Sequence, residues 1–178
     1  MRSVKYHVAV TLDGFLAHAD GSFEGFTMAG DHADEYLASL AWYGAVLMGR
    51  RTYEAGLKCG VTDPYPALDT YVFSRTLQKS PSPHVQVIAD DAATVVQRLK
   101  QQAGRDLYLC GGGELASTLF AAGLIDEVLL KVNPVLLGAG IAIAPRLGHR
   151  VALDLLSTKV YKNGVLLLRY AVLPSTPH

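Results

Sequence analysis

Cysteine is scarce. The chain holds only Cys59 and Cys110, with no C-x-x-C pair. That excludes a disulfide framework and leads us to expect a reducing, cytoplasmic setting. Net charge is also missing, because 16 basic residues balance 16 acidic ones. A general nucleic-acid-binding or anionic-membrane surface is therefore not expected. The six histidines show no H-x-H or H-E-x-x-H spacing, so no metal is expected. No apolar run approaches the roughly 20 residues of a membrane span. No signal peptide is expected either, since a strand pattern begins almost at the N-terminus. Repeats, low-complexity tracts and linkers are absent, and one domain over residues 1–178 is expected.

Half of the residues are hydrophobic, enough for a proper core. Val4, Tyr6, Val8 and Val10 alternate with Lys5, His7, Ala9 and Thr11, predicting a strand with one apolar face. Residues 19–30 form a Gly- and Asp-rich loop. Asp31 is then a candidate N-cap for a helix with Tyr36, Leu37, Leu40 and Ala41 on one face. Ala45 to Met48 reads as a strand buried on both sides. Strands over 70–73 and 85–88 follow, then a helix capped by Asp90 or Asp91, with Val95, Val96 and Leu99 inward. Leu107 to Cys110 is a strand running into Gly111-Gly112-Gly113, with a helix behind it. A strand over 127–132 stops at Asn133-Pro134, and 136–148 is irregular. Asn163-Gly164 predicts a two-residue hairpin between the last two strands. The expected class is α/β: a mostly parallel sheet with an antiparallel edge.

Three strand ends are alike in character. Gly49-Arg50-Arg51-Thr52 offers a helix N-terminus, a hydroxyl and two guanidinium groups. Ser74-Arg75 offers a hydroxyl and a third guanidinium. Gly111-Gly112-Gly113 offers bare backbone at a second helix N-terminus. Helix N-termini and arginines suit phosphate. Alternatively, the glycines are a tight turn and the arginines solvated charges. Gly111, Gly113 and Ala116 satisfy G-x-G-x-x-A, but a Rossmann site would place that motif on the first strand. The three ends together fit a phosphorylated nicotinamide dinucleotide, NADPH.

The ordered set Thr11-Leu12-Asp13-Gly14, Leu47 to Glu54, Phe73-Ser74-Arg75, Gly111 to Leu115 and Pro134 to Gly138 resembles the dihydrofolate-reductase-like superfamily. Within it, the set is most similar to the reductase domain of the riboflavin-biosynthesis deaminase-reductase and its stand-alone relatives. The resemblance spans residues 2–172, including the hairpin Asn163 to Tyr170. It implies a three-layer fold with about eight strands and a homodimer. It implies an NADPH-dependent reductase acting on a small heterocyclic or carbonyl substrate, for which a ribosylaminopyrimidine is one candidate. It places Ala9 and Leu16 at the nicotinamide, Gly49, Arg50, Arg51 and Thr52 at the phosphates, and Ser74 and Arg75 at the 2′-phosphate. It runs Gly111, Gly112, Gly113, Glu114 and Leu115 under the pyrophosphate, with a cis bond at Gly111–Gly112. Asp13, Leu37 and Lys131 fall at the substrate.

Departures bear on the substrate. Dihydrofolate reductases hold the pterin with a helix carboxylate. The equivalent position here is Ala33, with Asp34 beside it. Asp34 is either the catalytic acid or a first-turn residue favoured by the helix dipole. Lys131 stands where a threonine is common; it is either a phosphate ligand or a solvated strand lysine. No deaminase zinc signature is present. Dihydrofolate reduction and a non-catalytic nucleotide-binding role stand as alternatives.

Overall fold

The central strand β1, Val4–Thr11, lies between two parallel neighbours, and this position governs the rest of the sheet. The computed structural model describes residues 1–174; residues 175–178 of the expected domain lie outside it. Further strands are β2 (Phe15–Ala17), β3 (Tyr43–Gly49), β4 (Asp69–Phe73), β5 (Val85–Ile88), β6 (Asp106–Gly111), β7 (Glu127–Asn133), β8 (Ile141–Ala142), β9 (Leu153–Val160) and β10 (Leu166–Val172). Helices are α1 (Asp31–Ser39), α2 (Arg50–Lys58), α3 (Ala92–Gln101) and α4 (Gly113–Ala121). The main sheet has the order β5-β4-β3-β6-β1-β7-β10-β9. The pairs from β5 to β7 are parallel, and β10 runs antiparallel to both of its neighbours. The expected mostly parallel sheet with an antiparallel hairpin is what forms.

Each face of the sheet has its own core, giving three layers. Val4, Tyr6, Leu47, Leu107 and Leu109 pack against Val95, Val96 and Leu99 of α3 and Leu115 and Leu119 of α4. On the other face Tyr43, Val46, Met48, Val72 and Tyr108 meet Tyr53 of α2, with Tyr36 of α1 against them. Burying one such leucine or valine contributes about 1.5–3 kcal/mol. Asp91 caps α3 by accepting from the Thr94 N–H at 2.8 Å, worth about 1 kcal/mol.

Several local expectations change. The polar face of β1 is buried too, because helices cover both sides of a parallel sheet. Its polar groups are satisfied there: Lys5 Nζ lies 2.9 Å from Asp106, and His7 is bonded to Tyr43. Asp31 does not cap α1. The helix begins at Asp31 behind Gly30 (φ 118°), without a side-chain cap. The last hairpin is closed by three residues, Lys162 to Gly164. The Tyr161 N–H donates to Val165 O, and the Gly164 N–H donates back to Tyr161 O with Gly164 at φ 82°. Among the described residues no peptide bond is cis, including Gly111–Gly112; positive φ at both glycines (154° and 92°) turns the chain instead.

Candidate functional site

One cleft of about 1530 Å³ opens along the carboxyl ends of the parallel strands. Its phosphate-like half is built from backbone. β3 and β6 are neighbours, so the starts of α2 and α4 lie side by side, with Gly49 and Gly112 in backbone contact. Neither helix has a side-chain cap, so first-turn N–H groups of both remain free for a ligand. The glycines are needed for this approach. A Cβ on Gly112 would sit 3.3 Å from the Gly49 nitrogen, and one on Gly113 would overlap the Ala142 carbonyl oxygen and lie 2.7 Å from Pro145 Cδ. The bare backbone therefore serves close packing of chain on chain first, and through it places two positive helix ends together.

All the residues expected to hold a cofactor reach this one cleft. Ala9 and Leu16 line it from β1 and β2, and Gly49, Arg50, Arg51 and Thr52 line it from the junction of β3 and α2. Ser74 and Arg75 stand at the far end, and Gly111 through Leu115 at the centre. Their freedom differs. Arg50 Nη1 donates to both carboxylate oxygens of Glu54, at 3.0 and 2.8 Å. Ser74 Oγ accepts the N–H groups of Thr76 and Leu77 and so shapes its own turn. Arg51 and Arg75 are exposed at the rim.

The other half of the cleft is made of side chains, and the structure redistributes roles there. Lys131 lines it, with Nζ donating to Thr27 O at 3.2 Å; burial lowers its pKa. Asp34 and Leu37 do not line it. Both are solvent-exposed, Leu37 at 61%; α1 lines the cleft with His32, Glu35, Tyr36, Ala38 and Ser39 instead, of which His32 and Ser39 are buried and Glu35 is exposed. Ala33 is likewise absent from the lining. Asp13 lies outside it and ties two loops: it accepts from the Thr11 hydroxyl at 2.6 Å and from Gly138 N–H at 2.7 Å. Those bonds lower its pKa.

Residues not singled out from sequence now complete the site. His7 lines the cleft from β1. Tyr36 Oη lies 3.1 Å from Tyr65 Oη and 3.0 Å from Tyr108 Oη. Burial raises the pKa of all three phenols, so they stay protonated. Cys110 is beside them; burial pushes its thiol up to about 12, which makes it a poor nucleophile. Glu35 pairs with Lys159 and accepts from Tyr161 Oη at 2.8 Å, and both bonds lower its pKa. The link joins α1 to the hairpin across the cleft mouth. The alternation of β1 marked the face His7 occupies, but nothing local marked Glu35 or Tyr161.

Comparison with known proteins agrees with this architecture. Residues 2–167 match the family described as the RibD C-terminal domain. The uncharacterized protein YwjB of Bacillus subtilis is 32% identical over 167 residues, covering 93% of this chain and 96% of that protein. A Shewanella sp. PV-4 crystal structure, provisionally assigned to riboflavin biosynthesis, superposes with TM-score 0.83 at 20% identity. It covers 98% of this chain and 100% of that one. Schistosoma mansoni dihydrofolate reductase superposes with TM-score 0.65 at 17% identity, covering 96% and 98% of the two chains. The fold is therefore dihydrofolate-reductase-like.

Proposed function

We propose, from the premise that this chain belongs to the RibD C-terminal domain family, that it is an NADPH-dependent reductase of a small heterocyclic or carbonyl substrate. The observation that carries the reading is the pair of uncapped helix N-termini set side by side at Gly49 and Gly112. Free N–H groups and positive dipole ends at one point suit a diphosphate. The N–H groups of Arg50 to Thr52 and of Gly113 to Leu115, with the Thr52 hydroxyl, would hold it. Arg51 and Arg75, exposed at the rim, would meet the additional phosphate that separates NADPH from NADH. Ala9 and Leu16 would flank the nicotinamide. A reduced nicotinamide bound there would supply the hydride. The chain's own work is to orient the acceptor over that wall and exclude water.

The ribosylaminopyrimidine is the first candidate substrate. Lys131, in the half of the cleft away from Arg75, supports a second, substrate phosphate. Dihydrofolate fits less well, because Glu35, the α1 carboxylate that lines the cleft, is already bound to Lys159 and Tyr161. A single domain, a homodimer and a cytoplasmic setting belong to the same proposal. The homodimer is supported by the exposed apolar strand β9, with Leu153, Leu155, Leu156 and Val160 all open. Among the described residues no helix is long and apolar enough to cross a membrane.

The test is NADPH oxidation with 5-amino-6-(5-phosphoribosylamino)uracil against dihydrofolate. Turnover of the former, with little of the latter, is the expected result. Efficient dihydrofolate reduction would move the protein to the folate branch. Cofactor binding without turnover of any pyrimidine, pteridine or carbonyl compound would leave the binding-module alternative.

A further inference from the structure

His7 is an unusual residue for the middle of a parallel sheet. It is 5% exposed on the central strand, yet it lines the cleft. Its Nδ1 lies 3.1 Å from the Tyr43 hydroxyl. Its Nε2 makes no hydrogen bond among the described residues, and it is not a sealed, unsatisfied atom. It is a polar atom aimed at the cleft and left free there.

The tautomer follows from Tyr43. That tyrosine is fully buried, and His7 Nδ1 is the only hydrogen-bond partner of its hydroxyl among the described residues. If Nδ1 carried the proton and donated, the phenolic hydrogen would be buried with no acceptor. The hydroxyl therefore donates to Nδ1, and the ring proton sits on Nε2. The ring's neighbours are the rings of Tyr36, nearly perpendicular to it, and Tyr108, tilted against it, with centroids at 5.4 and 5.9 Å. The nearby charged groups, Lys131 and Lys5, are cations, which disfavour an imidazolium.

We infer that His7, fixed by Tyr43 as a neutral Nε2–H donor, positions the substrate by hydrogen-bonding an acceptor atom of a neutral planar head group, such as a pyrimidine ring carbonyl. This rests on the reductase reading of the same cleft. His7 lies two residues before Ala9 on the same strand face, roughly 6.6 Å away by strand geometry. A head group anchored at Nε2 thus reaches toward the wall assigned to the nicotinamide. The tyrosine hydroxyls beside it are also uncharged, so a neutral ring suits this donor, while the neighbouring Lys131, opposite Ala9 on β7, is free to serve a charged tail.

The experiment uses the full chain with ¹⁵N-labelled histidine and 6-aminouracil as the probe. In the free protein His7 should show a protonated Nε2 and a bare Nδ1, and adding 6-aminouracil should shift Nε2. Affinity for 6-aminouracil should fall roughly three- to tenfold in His7→Leu, the worth of one neutral hydrogen bond, and recover in His7→Gln, which keeps an N–H donor. Tyr43→Phe should mix the two tautomers and weaken the probe, although Tyr43 does not line the cleft. A protonated Nδ1 in the wild type would overturn the inference. So would a folded His7→Leu that binds 6-aminouracil as tightly as wild type, or no binding of the probe by wild type. If the probe behaves as expected but no pyrimidine, pteridine or carbonyl compound is reduced, the reductase reading fails while the hydrogen bond from His7 to a neutral ring stands.

Discussion

Acidification should destabilise the protein through His7, well before its carboxylates protonate. Burial, with Lys131 and Lys5 adding repulsion, lowers the pKa of His7 from 6.5 to about 4. In the unfolded chain the same ring takes up a proton as pH falls through 6.5; in the folded chain it resists until about 4. Between those values the unfolded state binds more protons, so folding stability drops as pH drops. At 1.36 kcal/mol per pH unit the whole gap is worth about 3 kcal/mol, most of it lost by roughly pH 4.5. That is a large share of the ~5–15 kcal/mol that holds a typical domain together.

The assay is urea unfolding followed by circular dichroism at a series of pH values between about 4 and 8. Wild type should be flat above 6.5 and fall steadily below it. His7→Leu should lack that fall, whatever its absolute stability. The carboxylates act in a lower window. Asp106, for example, has its pKa lowered below 3.8 despite an opposing burial effect, because Lys5 and the Ser3 N–H bond it. Its contribution is present above that value and lost only on further acidification. Subtracting the variant's curve from the wild-type curve removes such common terms. Parallel curves for the two proteins between pH 6.5 and 4 would show that His7 is not held neutral, and the reasoning from its burial would fail.

Gly113→Ala should cost about 1–3 kcal/mol by overpacking against Ala142 and Pro145, read from a urea midpoint; since Gly113 is not at positive φ, an unchanged midpoint would mean that β8 yields freely. Arg75→Ala should weaken NADPH binding by roughly 1.5–3 kcal/mol in calorimetry and leave NADH nearly untouched. Equal losses for both cofactors would displace the 2′-phosphate from Arg75. Leu155→Lys on the exposed strand β9 should convert a homodimer to a monomer of 19.1 kDa in light scattering, and a wild type already at that mass would end the dimer proposal.

How far the sequence could be read depended on what each part of the site is made of. The phosphate-like half consists of backbone at strand ends. Its markers, Gly49-Arg50-Arg51-Thr52 and Gly111 to Gly113, are contiguous stretches, so each is visible within a few residues of sequence, and all of them line the cleft. Even there the reason was incomplete. The glycines answer to contacts between segments far apart in the chain, Gly112 with Gly49 and Gly113 with Ala142, and no local pattern reports such a contact.

The other half consists of side chains that meet only after folding. His7 and Tyr43 are 36 positions apart, and Glu35 and Lys159 are 124 apart. Helix α1 shows why pattern reading misplaces such residues. Periodicity assumes that the apolar stripe faces the protein. On α1 the residues lining the cleft are His32, Glu35, Tyr36, Ala38 and Ser39, most of them polar, while Leu37 is exposed to solvent. The face expected through Tyr36, Leu37, Leu40 and Ala41 holds for Tyr36 and Leu40, which pack against the core, and fails at Leu37 and Ala41, which are exposed; Asp34, suggested by the resemblance as the neighbour of Ala33, stays outside the cleft that Glu35 lines. The two carboxylates are one position apart, about 100° around a helix, enough to exchange a cleft residue for a surface one.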